Sequence, residues 1–518
     1  MSKRKIIQST AVVSFFTLIS RMTGLLRDVA IAHAFGTRLV ADAFFVAFRI
    51  PNLFRRLFAE GALTVSFVPN FTESLKKDRE EARHVVDASF TLMTVLLVAV
   101  SLLGILLAPW FVRLTAWGFS KVPEKFELTV FLTRVLFPYL LLVSLAGLAM
   151  GVLNSLKHFG APAASSIFMN LGIIAGALFF VQWCEPPVLG LAIGALLGGV
   201  LQLGIHFPYL WKFGFWPKIR WDPSHPMIKK IITMMLPSAY GAAVYQFNVI
   251  VITFLASFLP SGSVSYLWYA DRVMEFPLGI FAISVATTIL PTLADHAADK
   301  NEESFKETFR FGLRLILLIT LPAAAGLIVL AEPITRILFQ HGAFNVASTQ
   351  ATSSALIAFA IGLPFIAGVR VTANAFYSLH DSKTPVKVAN LSVVLNLILC
   401  LLLMVPFKHI GLALAISLSS VFNFLMHGID LRKKIGRLGL KQIFPTVGKA
   451  VLASLIMAAV MVILVHRVPL EGNFVKQVFA LLFFIAVGAG LYFSSCWALR
   501  MEEIQALWVI LQKRSLKK

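Results

Sequence analysis

Three groups of ionisable side chains interrupt otherwise apolar stretches of this 518-residue chain. The first is Arg21, Arg27 and Asp28; the second is Asp42, Arg49, Arg55, Arg56 and Glu60; the third is Asp271, Arg272 and Glu275. A charge at the centre of a bilayer costs at least about 2.5–3.5 kcal/mol, so such residues face a wet cavity or a partner. On an ideal helix Asp42, Arg49, Arg56 and Glu60 fall within roughly 40° of one another, with Pro51 set to kink the stripe. Arginine suits phosphate, because its fork makes charge-assisted hydrogen bonds and never titrates away. The excess of positive charge therefore reads as a cavity for an anionic, phosphorylated headgroup. The structural alternative is ion pairing, Arg27 with Asp28 and Glu60 with Arg56 at i,i+4. Arg134, Arg314 and Arg370 lie near expected helix ends and are read as snorkelling to the interface.

Nothing in the sequence adds bond-breaking chemistry to these charges. The eleven His are scattered without HExxH spacing, and Cys184, Cys400 and Cys496 are far apart with no CxxC. Gly448-Lys449 is followed by Ala450 and lacks the upstream glycine of an ATP-binding loop, and there is no DxD cluster for a metal-dependent transferase. No catalytic residue, metal or cofactor is expected. Energy must come from an ion gradient, the substrate gradient or the membrane potential, where each charge exchanges about 2.3 kcal/mol per 100 mV. The net charge of +21 does not point to nucleic acid, because Lys and Arg sit in short segments between apolar runs.

The elements that must position these residues follow from composition. Hydrophobic residues make up 58% and charged residues 14%, with mean hydropathy +0.83, beyond what a soluble surface can cover. The chain reads as an all-α polytopic membrane protein. Spans of about 20 apolar residues are expected near 8–33, 40–69, 88–112, 128–155, 163–183, 188–211, 230–259, 264–294, 311–331, 347–378, 386–406, 409–430, 449–466 and 476–499. That makes fourteen transmembrane helices, the first retained rather than cleaved as a signal. Alternate inter-span segments hold about 29 Lys and Arg against about 8, which puts both termini in the cytoplasm. On that count Arg21 lies about 18 Å along the first helix, and Asp271 to Glu275 about 10–17 Å into the eighth.

Short matches recur at one offset of 223 residues: Ala47 and Arg49 with Ala270 and Arg272, Phe58-Ala59 with Phe281-Ala282, Leu107-Ala108 and Arg113 with Leu330-Ala331 and Arg336, and Ser155-Leu156 and Pro162 with Ser378-Leu379 and Pro385. Six helices per repeat give two copies of like orientation, the pattern of transporters whose substrate site lies between repeats. The expected division is residues 1–222 for an N-lobe, 223–445 for a C-lobe, and 446–518 for helices thirteen and fourteen with a basic cytoplasmic tail.

Pro51-Asn52-Leu53-Phe54-Arg55-Arg56-Leu57-Phe58-Ala59-Glu60-Gly61-Ala62, followed by Ser66-Phe67-Val68-Pro69, resembles the signature of the MurJ (MviN) lipid II flippases. Ser20-Arg21, Gly24, Arg27-Asp28 and Ala41-Asp42-Ala43-Phe44-Phe45 fit the same pattern. So do Tyr269-Ala270-Asp271-Arg272 with Glu275 and Pro277, and Phe376-Tyr377-Ser378-Leu379 leading to Thr384-Pro385. The resemblance covers the whole chain. It implies the fold of the MOP exporter superfamily, two six-helix lobes around a central cavity that opens alternately to each side. The implied substrate is lipid II, the undecaprenyl-pyrophosphate-linked peptidoglycan precursor, carried to the outer leaflet of the bacterial inner membrane for cell-wall growth and cell shape. Arg21, Arg27, Arg55 and Arg272 would bind it. Asp28, Asp42, Arg49, Arg56, Glu60, Asp271 and Glu275 would gate or form ion pairs, and the last two helices would hold the lipid tail. Membrane lipids and the cell-wall synthesis machinery are the other implied partners. Some relatives place an acid of a sodium site in helix seven; here 223–270 contains no Asp or Glu, only the neutral Asn248 and Thr253, so coupling to the potential alone is expected. The rival readings are a flippase for another polyprenyl-linked glycan, a drug exporter of the same superfamily, which the arginines disfavour for cations, and a membrane-embedded glycosyl- or phosphotransferase.

Overall fold

Every regular element among the described residues is helical. The computed structural model describes residues 3–55, 64–468, 472–501 and 503, with side chains for all of these except 3–11, 64–65 and 236–245. Ten helices among them are long and apolar enough to cross a membrane. Many of their large apolar side chains are exposed, among them Leu106, Val405, Ile463 and Phe479. That pattern suits helices whose outer faces meet lipid rather than water. The chain separates into two units, Met1–Ser265 with His341–Phe344, and Tyr266–Gln340 with Asn345–Lys518.

The first unit contains α1 (Lys3–Phe35), α2 (Leu39–Arg55), α3 (Thr64–Lys77), α4 (Arg79–Leu106), α5 (Ala108–Ala116), α6 (Pro123–Leu136), α7 (Pro138–Ser155), α8 (Gly160–Leu178), α9 (Leu189–Gly204), α10 (Phe207–Lys212) and α11 (Pro226–Ala256). Prolines set several boundaries that hydropathy does not. The span expected at 88–112 is two helices that break at Leu107, with Pro109 in the first turn of α5. The span expected at 128–155 is likewise resumed by Pro138, at the start of α7. Helix α2 runs on through Pro51 to Arg55. Asp78 starts α4 by accepting hydrogen bonds from the amides of Glu80 and Glu81 at 3.2 and 3.1 Å. Helices α8 and α9 meet along glycines: a Cβ on Gly172 would fall 2.4 Å from Gly198 Cα, and one on Gly176 2.5 Å from Gly190 O. Small residues four apart are how membrane helices bring backbones together. The core of this unit joins α3, α4 and α7 through Phe67 and Phe71, whose rings stack 5.4 Å apart, with Phe215 edge-on to Phe71.

The second unit contains most of α12 (Ser263–Pro277), then α13 (Ile283–Ala298), α14 (Glu302–Val329), α15 (Ala331–Phe339), α16 (Val346–Ser378), α17 (Lys383–Ile435), α18 (Phe444–Arg467) and α19 (Phe474–Ala498). The 53-residue α17 breaks at Lys408, where φ is 50°, between the two spans expected at 386–406 and 409–430. Helix ends repeat at the spacing read from sequence: α4 and α14 begin and end 223 residues apart, as do the starts of α5 and α15 and the ends of α7 and α16. Even the positive φ of Lys157 recurs at His380. Helices α18 and α19 pack on α14 through Met457, Met461, Phe484 and Leu318, and Tyr492 Oη donates to Leu318 O at 2.7 Å.

Candidate functional site

Helix α1 presents Arg21 and Arg27 in opposite electrostatic settings. Arg27 is buried and saturated: Nη2 donates to both Asp28 carboxylate oxygens at 2.9 and 3.0 Å, Nε to Oδ1 at 3.1 Å, and Nη1 to Asn170 Oδ1 on α8 at 3.1 Å. Asn170 is itself oriented by donating to Ser20 O at 3.1 Å and Thr23 Oγ1 at 3.2 Å. Arg21, about 9 Å back along the same helix, is half-buried and has no hydrogen bond or ion pair among the described residues. Of the two, only Arg27 is held in an ion pair among the described residues.

On α2 the expected stripe meets partners within the first unit. Asp42 is 1% exposed and accepts four hydrogen bonds: from Lys125 Nζ and Gly262 N at 2.7 Å each, and from Ser265 N and Oγ at 2.9 and 2.6 Å. Lys125, on the first turn of α6, also donates to Ser261 Oγ at 3.1 Å and lies 4.0 Å from the Phe119 ring centre. One carboxylate thus neutralises a buried ammonium and caps the 262–265 turn, joining three segments that charge counting assigns to one face of the membrane. Two turns further along the same face, Arg49 donates from Nη1 to Thr253 Oγ1 on α11, a hydroxyl that in turn donates to Val249 O at 2.8 Å. Arg55 is half-buried, its Nε held on Asn52 Oδ1 at 3.0 Å. Arg56 and Glu60 lie outside the described residues.

In the second unit, Arg272 on α12 donates to Glu275 Oε2 at 2.7 Å and lies 4.6 Å over the Trp268 ring. Asp271 beside it is half-buried. Arg314 pairs with Glu503 at 3.3 Å. Sequence reading did not single out Lys125, Asn170 or Ser265. Asn170 and Ser265 carry no charge to betray them. Lys125 had one usable signal, a cation on the face where Lys and Arg are scarce.

The sequence from residue 31 to residue 484 matches the family model described as lipid II flippase MurJ. The chain belongs to the MurJ family. A probable lipid II flippase MurJ from Vibrio cholerae is 37% identical over 441 residues, 83% of this chain and 84% of that protein. A solved structure of lipid II flippase MurJ in an inward closed conformation superposes with a TM-score of 0.80 at 27% identity, covering 94% of this chain and 98% of the other. An inward-facing multidrug resistance MATE transporter of the MOP superfamily shares the fold, with a TM-score of 0.69 at 14% identity over 83% of this chain and 98% of that one. MurJ membership makes the buried arginines features of a transporter rather than an enzyme.

Proposed function

We propose that the chain is a lipid II flippase of the bacterial inner membrane, moving the pyrophosphate-linked precursor from the cytoplasmic to the outer leaflet by alternating access. Family membership names the substrate, and one observation carries the chemistry: Arg21 is a half-buried cation on α1 with no ion pair among the described residues. A desolvated guanidinium gains most when a phosphate oxygen completes its hydrogen bonds. Arg21 is the first contact for the pyrophosphate, with Arg27, Arg55 and Arg272 joining as their partners give way. Asp42 with Lys125 acts as a latch at the outer side, and Asp28, Arg49, Arg56, Glu60, Asp271 and Glu275 gate or balance charge. Both termini face the cytoplasm, the lobes divide at residues 222/223 with helices thirteen and fourteen appended, and α18 and α19 hold the lipid tail before the product passes to the cell-wall machinery. Energy comes from the membrane potential. The Arg49 guanidinium against Thr253 supports this, since it repels a second cation from that hydroxyl.

The test is outer-leaflet exposure of lipid II in cells depleted of this chain, read with an impermeant cleaving reagent. Exposure should collapse while total lipid II rises. Unchanged exposure, together with no lipid II movement in vesicles holding the purified chain, overturns the proposal; movement of a different polyprenyl-linked glycan in those vesicles reassigns the substrate.

A further inference from the structure

Between α10 and α11 the chain runs as an extended strap along the first half of α4, and five side chains of one helix hold it. Arg79 Nη2 donates to Phe213 O at 2.8 Å, and Arg83 Nη2 to Gly214 O at 2.8 Å. Asp87 Oδ1 accepts from Lys218 N at 2.9 Å, and Thr91 Oγ1 from Arg220 N at 2.8 Å. The fifth is His84, whose Nε2 lies 2.9 Å from Asp222 Oδ2. The strap ends at His225, whose ring stands 4.6 Å from that of His84 and whose Nε2 is 3.3 Å from Glu81 Oε1. One ligand atom each from Glu81, His84 and His225 lies within 4.8 Å of the other two.

We propose that Glu81, His84 and His225 form a binding site for a divalent transition-metal ion, Zn2+ by preference, with Asp222 positioning His84. Two imidazoles and a carboxylate are borderline donors that suit zinc, whereas Mg2+ and Ca2+ take oxygen ligands. At zinc bond lengths of about 2.0–2.1 Å a tetrahedron needs its ligand atoms roughly 3.3 Å apart. The Glu81–His225 edge already has that length, and the other two are at most 4.8 Å. The Asp222 carboxylate accepts a hydrogen bond from the Nε2–H of His84, which leaves the lone pair on Nδ1. This is the carboxylate–histidine arrangement that orients metal ligands. At His225 the ion replaces the proton shared with Glu81. The ring then carries its proton on Nδ1 and gives up its long 3.3 Å bond from Met227 N. Three protein ligands leave a fourth position for water. The strap pre-holds both halves of the site, so the ion clamps the start of α11 to α4. Glu81 and His84 share one turn of α4, while Asp222 and His225 follow 138 or more positions after His84, which is why no sequence motif announces the site.

The experiment uses the purified full-length chain in detergent, stripped with chelator and titrated with ZnCl2 alone. One Zn2+ per chain should bind and raise the melting temperature. Co2+ in its place should give the visible absorption of a four-coordinate site. Glu81→Gln and His84→Ala should each weaken binding about tenfold or more and remove the melting shift. Asp222→Asn should weaken binding while keeping one ion per chain. Glu81→Gln is nearly isosteric, so unchanged elution and metal-free melting separate lost ligation from lost fold. Absence of a one-to-one complex, unchanged affinity in Glu81→Gln and His84→Ala, or an equal melting shift with Mg2+ overturns the proposal.

Discussion

Arg21 and Arg27 share a helix and a side-chain type, and their neighbours alone separate their roles. Arg27 is bonded to Asp28 and Asn170, so Arg27→Ala removes half of a buried ion pair whose acid is 1% exposed. Removing one member of a buried pair costs about 3–5 kcal/mol, and the expected outcome is a lower melting temperature together with lost flipping. Arg21→Ala removes a cation that bonds nothing among the described residues. It should leave melting unchanged and abolish growth when it is the sole copy in the cell. Normal growth on Arg21→Ala would mean that the charge is structural. The Asp42–Lys125 pair makes the complementary case. Lys125→Met should destabilise by about 3 kcal/mol or more, and Asp42→Asn should recover part of that loss when combined with it, read by melting in detergent. Additive losses would show that the two residues act independently.

At the scale of elements, the hairpin made by the two halves of α17 is tied at its base. Asp381, just before the helix, accepts from Lys434 Nζ near its end at 2.6 Å and from Thr384 N at 3.0 Å. The Lys434 ammonium, followed by the Thr384 amide, holds the Asp381 carboxyl down at about 2. A depressed carboxyl stabilises the folded chain above its ordinary value near 4. That contribution disappears as pH falls through about 2. Melting of the parent chain should therefore drop between about pH 4 and pH 2 more steeply than that of Asp381→Asn; parallel curves would show that the tie adds nothing. Helix α11 teaches a different lesson. The repeat pattern groups it with the second lobe, while its contacts place it in the first unit. Connectivity and repeat symmetry are properties of sequence, but packing follows whichever surface the helix buries, here against α3 and α5.

For the whole molecule, the alternation of basic and neutral loops predicts that a tag at either end is reached only from the cytoplasm. An impermeant label reacting with the C-terminus of intact cells would reverse the orientation. Collapse of the potential across vesicles should stop lipid movement even with sodium balanced on both sides; persistent movement would rule out potential as the driving force. Much of this protein was legible in the linear chain. Burial of apolar surface and the cost of charge in lipid are one-dimensional properties, so hydropathy showed an all-helical membrane protein. The 223-residue repeat returned in helix ends, and the Arg55 motif indicated the family. Pairing was not legible, because a side chain's partner is set by distance in space. Asp42 met Lys125 across 83 residues and Arg27 met Asn170 across 143. Glu81 and His84 met His225 only because a strap folds back on α4. Sequence determined which residues could carry charge in the membrane; tertiary structure decided which of them were already neutralised, because Coulomb and hydrogen-bond energies depend on separations of a few ångströms that chain order does not encode.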